Sequence, residues 1–246
     1  MLTVVLSATK VMTQWLKQDL PRIPSPDGKR IGTQPLRTDS HQLSWQCSVV
    51  QNFYRSGEYT VIATEAYSRY TLLMPYAFAP TAAEFEHDFL ERIGFEIQPL
   101  MIDSGALAAH QLEKVRQQFG SQKKSVVWFR NTDLSVNGHV GDAEQWLKQM
   151  LEDNGLSCLS EDDAIGLGDR INKLRKRAKS GQSSTQLFYP VARMLDDALY
   201  RFAKGMTADH YPLTRFGDFP NPYPDREATA VSPLPNNVVS MADFRK

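Results

Sequence analysis

The sequence predicts an α+β fold, on three observations. Residues 43–75 hold three β-rich runs separated by short turns. From Thr81 to about residue 204, apolar residues recur mostly at helical spacing. A proline-rich stretch then runs from Pro212 to Lys246 with little periodicity. The expected arrangement is an N-terminal antiparallel β-meander packed with helices, followed by a helical C-terminal extension and an extended Pro-rich tail. The corresponding boundaries are 1–155, 156–211 and 212–246.

Leu2 to Leu6 is a short apolar run suited to a buried strand. Ser7 can cap a helix carrying Val11, Trp15 and Leu16 on one side. Residues 19–41 contain four prolines, three of them in PRIPSPDGKR, and read as a loop or extended arm. LSWQCSVVQNFY (43–54), EYTVIAT (58–64) and SRYTLLMP (68–75) follow as strands. Their connections, RSG and EAY, are too short for anything but antiparallel neighbours. Pro75 is expected to end the third strand.

Phe85, Phe89, Leu90 and Ile93 then mark a helix from Thr81, with Gly94 as its stop. A second helix is expected from Ser104 to Phe119, using Leu107, Leu112 and Val115. SVVWF (125–129) reads as one more strand and RNTDLSVNGHVGD (130–142) as a turn-rich loop. Asp142, with Gln145 three residues on, suits the start of a helix carrying Trp146, Leu147, Met150 and Leu151, and Asn154-Gly155 closes it. Helices over roughly 161–179 and 187–204 complete the expectation. In the latter, Pro190 opens the regular stretch and Val191, Leu195, Leu199 and Phe202 form one stripe.

Composition narrows the function. With 41% hydrophobic and 10% aromatic residues, a chain of 246 residues can bury a sizeable core without metals or disulfides. The 28 basic and 28 acidic residues cancel, so any contact with nucleic acid or a membrane surface must use a local patch. The two cysteines, Cys47 and Cys158, lack metal-type spacing, so neither a metal nor a cofactor is expected. No apolar run is long enough to span a membrane. The opening MLTVVLSATKVMTQWLK lacks the pattern of a secretory leader, and a cytoplasmic location is expected.

Four features coincide in order along residues 1–155: MLTVVLSATKVMTQWLK, the strand LSWQCSVV, the hairpin GEYTVIATEAYSRYTLLMP, and TDLSVNGHVGD. In these the chain resembles a bacterial domain family of unknown function. There a first strand leads into a helix opening near a threonine and lysine, here Thr9 and Lys10. A tryptophan-bearing strand (Trp45) precedes a hairpin ending in proline (Pro75). A Ser-x-x-Gly turn (Ser135 to Gly138) leads to a helix that begins near an aspartate (Asp142). The chain departs from the family at Asp133-Leu134, where an Asn-Arg pair is common, in the insert at 19–41, and in its added C-terminal third. The resemblance implies a fold and a bacterial origin, and no activity.

Two stretches can carry chemistry. RINKLRKRAKSG (170–181) holds six basic residues. On a helical wheel Ile171, Leu174 and Ala178 share one side, while Arg170, Lys173, Lys176 and Arg177 occupy the opposite arc, flanked by Arg175 and Lys179. Such a face can contact phosphates without reading sequence. It is equally a solvated surface, neutralised by the acidic residues at 161–163. RNTDLSVNGHVGD gathers Asp133, Ser135, His139 and Asp142; His139 beside an aspartate could act as a general base. The same residue types serve as ordinary turn and cap formers. No nucleophile-elbow motif accompanies them, and the glycines of IGLGD lack the flanking Lys-Ser/Thr of a phosphate loop.

The sequence thus leads to a non-enzymatic binding or regulatory module with a macromolecular partner. That partner is expected to be protein, or nucleic acid gripped through Arg170, Lys173, Lys176, Arg177 and Lys179. The rival is a hydrolase or nuclease using Asp133, His139 and Asp142. The sequence specifies no oligomeric state.

Overall fold

The computed structural model describes residues 1–203 and 206, apart from 26, 30 and 181–183; at 178–180 and 184–186 the description is of the backbone. The expected tail at 212–246 lies outside the described residues.

Five strands form one mixed sheet in the order β4-β3-β2-β1-β5, from β1 (Leu2–Ala8), β2 (Gln42–Gln51), β3 (Tyr59–Glu65), β4 (Thr71–Tyr76) and β5 (Lys124–Arg130). The expected meander is present: β2, β3 and β4 are successive antiparallel neighbours. β1 is parallel to both of its neighbours, β2 and β5. This follows from the long crossovers around it, since parallel strands need more than a turn between them. Leu2, Val4 and Leu6 on one face of it and Val5 on the other are all buried.

One face carries Leu6, Trp45, Val61 and Leu72. Against it lie Phe85, Phe89, Ile93 and Ile97 of α2 (Ala82–Asp103) and Leu195, Leu199 and Phe202 of α6 (Pro190–Phe202). Trp45 and Phe89 meet edge to face at 5.2 Å. The opposite face carries Val50, Ile62 and Leu73, covered by Val140, Leu147 and Leu151 of α4 (Leu134–Asn154) and Leu167 and Ile171 of α5 (Glu161–Asn172). The stripe Val191, Leu195, Leu199 and Phe202 is buried as expected, with Pro190 at the first turn of its helix. Residues of the expected C-terminal extension therefore share cores with the N-terminal sheet.

Several local expectations are corrected. The first helix, α1 (Lys10–Trp15), is capped by Thr9, not Ser7, whose hydroxyl donates to the Asn131 carbonyl from within β1. α2 does not stop at Gly94; it continues through Gly94 and Pro99 to Asp103, because Ile97, Leu100 and Met101 extend its buried stripe. The following segment is a short 3-10 turn (Ala109–Gln111) and then α3 (Leu112–Ser121), rather than one helix from Ser104. RNTDLSVNGHVGD is not a loop: α4 begins at Leu134, capped by Asp133, and Asp142 lies inside it. Gly155 closes α4 as expected, in the left-handed conformation (φ 61). The basic segment 170–179 is not a helix face. α5 ends at Asn172, and β6 (Lys176–Ser180) pairs antiparallel with β7 (Ser184–Phe188).

Pro75 does not end β4, which reaches Tyr76 at the sheet edge. That edge is capped by side chains. Asn172 accepts from the Thr71 amide (2.7 Å) and donates to its carbonyl (2.9 Å). Arg92 donates to the Leu73 carbonyl at 2.9 Å. Pro75 has no N–H to offer, so further strand addition is blocked. Among its described residues the arm at 19–41 has no helix and no strand beyond one isolated bridge at Arg22, and it is laced onto the end of the sheet. Its Gln34 and Leu36 amides donate to the side chains of Asn131 and Asp133, each at 2.7 Å.

Candidate functional site

The two sequence stretches meet beside the turn joining β3 to β4. Glu65, 1% exposed, organises that turn. Its carboxylate accepts from the Tyr67 amide (2.9 Å), the Ser68 amide (2.5 Å), the Ser68 hydroxyl (2.7 Å) and the Thr38 hydroxyl. Burial pushes the Glu65 carboxyl above its ordinary range, as does the charge of Asp197; bonds from Thr38 and Ser68 oppose the shift. Arg69, at the end of the turn, has a φ of 61°. For a residue other than glycine this conformation costs about 1–2 kcal/mol, so the surrounding bonds must hold it.

The Arg69 guanidinium reaches α4, where Nη2 donates to the Ser135 hydroxyl at 3.3 Å. Its Nε and Nη1 are buried, with no hydrogen-bond partner among the described residues. Burial lowers the Arg69 pKa, against the pull of Glu65 and Asp133.

Asp133 caps α4 and His139 lies within it, in different roles. The Asp133 carboxylate accepts from the Ser135 amide (2.8 Å), the Ser135 hydroxyl (2.8 Å), the Val136 amide (3.4 Å) and the Leu36 amide (2.7 Å). Those bonds cap the helix and tie down the arm. The His139 side chain is 14% exposed, and its Nδ1 lies 4.0 Å from Asp142 Oδ2. That nitrogen is buried without a hydrogen-bond partner among the described residues. Its pKa is pushed down to about 4, by burial first, then by the positive charges of Arg69 and Lys176, with Asp142 opposing. The imidazole is therefore neutral at pH 7.

Lys176 arrives from β6. Its ammonium lies 3.4 Å from Asp142 Oδ2, and its side chain is only 11% exposed. The other basic residues scatter. Arg170 stacks on Trp146 at 4.9 Å, Lys173 pairs with Asp169 at 2.7 Å, and Arg177 is exposed on β6. The Lys179 side chain lies outside the described residues. A further cation stands nearby: Arg193 of α6 donates to the Tyr67 carbonyl at 3.2 Å and covers the rings of Phe188 (3.6 Å) and Tyr67 (5.0 Å).

The structure thus joins Ser135, His139 and Asp142 to Lys176, and adds Arg69, Glu65 and Arg193, which sequence reasoning missed. For Glu65 and Arg69 the one signal was the pair of charged residues in the turn EAYSR, and Arg193 had none beyond its charge in the α6 segment. Asp133 stands in the same region but is committed to the helix cap. Chemically the arrangement offers two donors to an anion, the guanidinium of Arg69 and the ammonium of Lys176, while the Ser135 hydroxyl already donates to Asp133. Among the described residues no group of three or more His, Cys, Asp or Glu side chains could hold a metal ion. The thiol of Cys47 is buried and pushed well above its usual range by that burial. Among the same residues no helix is long and apolar enough to cross a membrane. Compared with protein-family models, curated proteins and solved structures, the chain has no match.

Proposed function

We propose that this chain is a non-enzymatic binding or regulatory module that takes an anionic group of a protein partner at Arg69 and Lys176. The observation that carries the reading is the Arg69 guanidinium, held in a left-handed turn with Nε and Nη1 buried and unpaired among the described residues. A buried donor left without an acceptor costs about 1–3 kcal/mol, and an incoming carboxylate or phosphate relieves that cost. Lys176 stands in the same cluster around His139 as a further donor. Binding is favoured over hydrolysis because Asp133 already accepts four hydrogen bonds, from the α4 cap and the arm, and among the described residues His139 Nδ1 donates to no carboxylate. Nucleic-acid contact through 170–179 is less favoured, because Lys173 is paired and Lys176 is turned inward. A cytoplasmic setting and kinship with the bacterial family belong to the same proposal. The kinship rests on the order of the first strand, Thr9-Lys10, the Trp45 strand and its hairpin.

The test is a titration with a phosphoserine peptide, its unphosphorylated twin and a short DNA duplex. The phosphopeptide should bind, and Arg69→Gln or Lys176→Gln should each weaken it about tenfold, the scale of one charge-assisted hydrogen bond. Binding of DNA alone, lost on replacing Arg170 and Arg177, would transfer the function to the basic segment. Binding of no anion would refute the reading.

A further inference from the structure

A concave surface lies at the far end of β4 from Arg69. A groove of about 780 Å³ runs between β4, α2, α3 and the start of α5, a size typical of ligand-binding clefts. Its apolar lining combines the aromatic rings of Tyr76, Phe95 and Phe119 with Met74, Pro75 and Ile165. Phe95 is 60% exposed, an unusual state for a phenylalanine in the middle of a helix. The charged lining is mostly acidic: Asp88, Glu91, Glu161 and Asp162 face two arginines.

Arg92 neutralises Glu161, but among the described residues neither arginine forms an ion pair with Asp88, Glu91 or Asp162. Arg92 is held between Glu96 and Glu161, each at 2.5 Å, and also donates to the Leu73 carbonyl. Arg116 donates to Gln98 at 2.8 Å and stands 3.9 Å from Glu113. Asp88 and Glu91 sit well inside α2, away from the helix N-terminus that would offset their charge. Asp88 accepts from the Tyr76 hydroxyl at 3.2 Å, and Glu91 lies 3.6 Å from the exposed His87.

We propose that this groove docks a basic segment of a partner protein, with an arginine or lysine cation stacked on Phe95 and drawn in by Asp88, Glu91 and Asp162. The aromatic lining and the excess of carboxylates together match a cationic side chain, through its apolar stem and its charged head. The mode is side-chain recognition. The edge of β4 is already capped by Asn172 and Arg92 and interrupted by Pro75, so the segment does not add as a strand. This proposal is independent of the anion site at Arg69, which lies at the opposite end of β4.

The experiment is a fluorescence-anisotropy titration of the whole protein with a labelled, end-blocked tetra-arginine peptide, with tetra-glutamine as control. The arginine peptide should bind and the glutamine peptide should not. Phe95→Ala should weaken binding about tenfold, as should the pair Asp88→Asn with Glu91→Gln. Raising salt should weaken it further. Glu152→Gln with Asp153→Asn, which removes two exposed acids on α4, should leave binding unchanged. Circular dichroism and thermal melts confirm that each variant is folded. The proposal is overturned if tetra-arginine does not bind, or if the groove variants bind it as well as the α4 control does. It is equally overturned if the groove proves to seat a second copy of this chain, seen as self-association that Phe95→Ala abolishes.

Discussion

His139 should make the fold acid-sensitive over a defined window. Its pKa in the folded protein is about 4, against an ordinary 6.5. A histidine with a depressed pKa binds fewer protons folded than unfolded. Its contribution is complete above the unfolded value and is lost as pH falls from 6.5 towards 4. Linkage puts the loss at about 2 kcal/mol by pH 5 and about 3 kcal/mol by pH 4 as upper figures; solvent access to the side chain reduces these to about 1–2 kcal/mol. The groups facing the imidazole are Arg69 from the β3–β4 turn, Lys176 from β6 and Asp142 from α4 itself. Glu65 titrates with the opposite sign: its raised pKa adds stability at low pH that is lost as pH rises above 4.5. A single protein's pH curve would mix the two, so the comparison is between wild type and His139→Gln. Urea unfolding at pH 7.0, 6.0, 5.0 and 4.5, on roughly this spacing, isolates the histidine. The stability gap should move in favour of the variant as pH falls, by about 1–2 kcal/mol across the range. A gap that stays constant within about 0.3 kcal/mol would refute the account of the buried imidazole and its cationic neighbours.

Other perturbations test the supports of the site. Asn172→Ala removes both bonds to the Thr71 backbone and leaves a buried amide and carbonyl unpaired. It should cost about 2–3 kcal/mol in urea unfolding, and a loss below about 0.5 kcal/mol would mean the β4 edge needs no cap. Asp133→Ala removes the α4 cap and the tie to Leu36, and should cost about 2 kcal/mol; Asp133→Asn, which can still accept, should recover at least half by the same measurement. Gly155→Ala, at φ 61, should cost about 1 kcal/mol by thermal melting, and an unchanged melting temperature would contradict the left-handed cap.

The meander was legible because its determinants are local: alternating β-branched and aromatic residues, with turns too short for any other pairing. The same holds for α6, where Pro190 and one apolar stripe mark the start and the buried face. The first turns of α4 were not legible, because Asn137, Gly138 and Gly141 are all turn formers. Two helical glycines cost about 2 kcal/mol together. Val136, Val140, Ala143 and Leu147, each 3% exposed or less, outweigh that. Burial is worth roughly 1.5–3 kcal/mol for each larger side chain, and it depends on a sheet face that local sequence does not reveal.

The basic segment failed as a helix for a related reason. Its charges looked continuous only on a wheel that assumed regular helix through residue 179. Asn172, 1% exposed, spends its amide on the backbone of β4, and the chain leaves the helix there. From Lys176 the backbone pairs instead with Ser184–Phe188. In a strand, neighbouring side chains point to opposite faces. Lys176 accordingly turns towards Asp142 and His139, while Arg177 stays in solvent. One change of backbone period therefore divides a single run of positive charge. It sends one lysine into a buried cluster with Arg69 and leaves its neighbour on the surface. Charge counted along the sequence was a poor guide to the site for that reason. The informative feature is a cation held away from water, and such a cation is recognised by its partners in space.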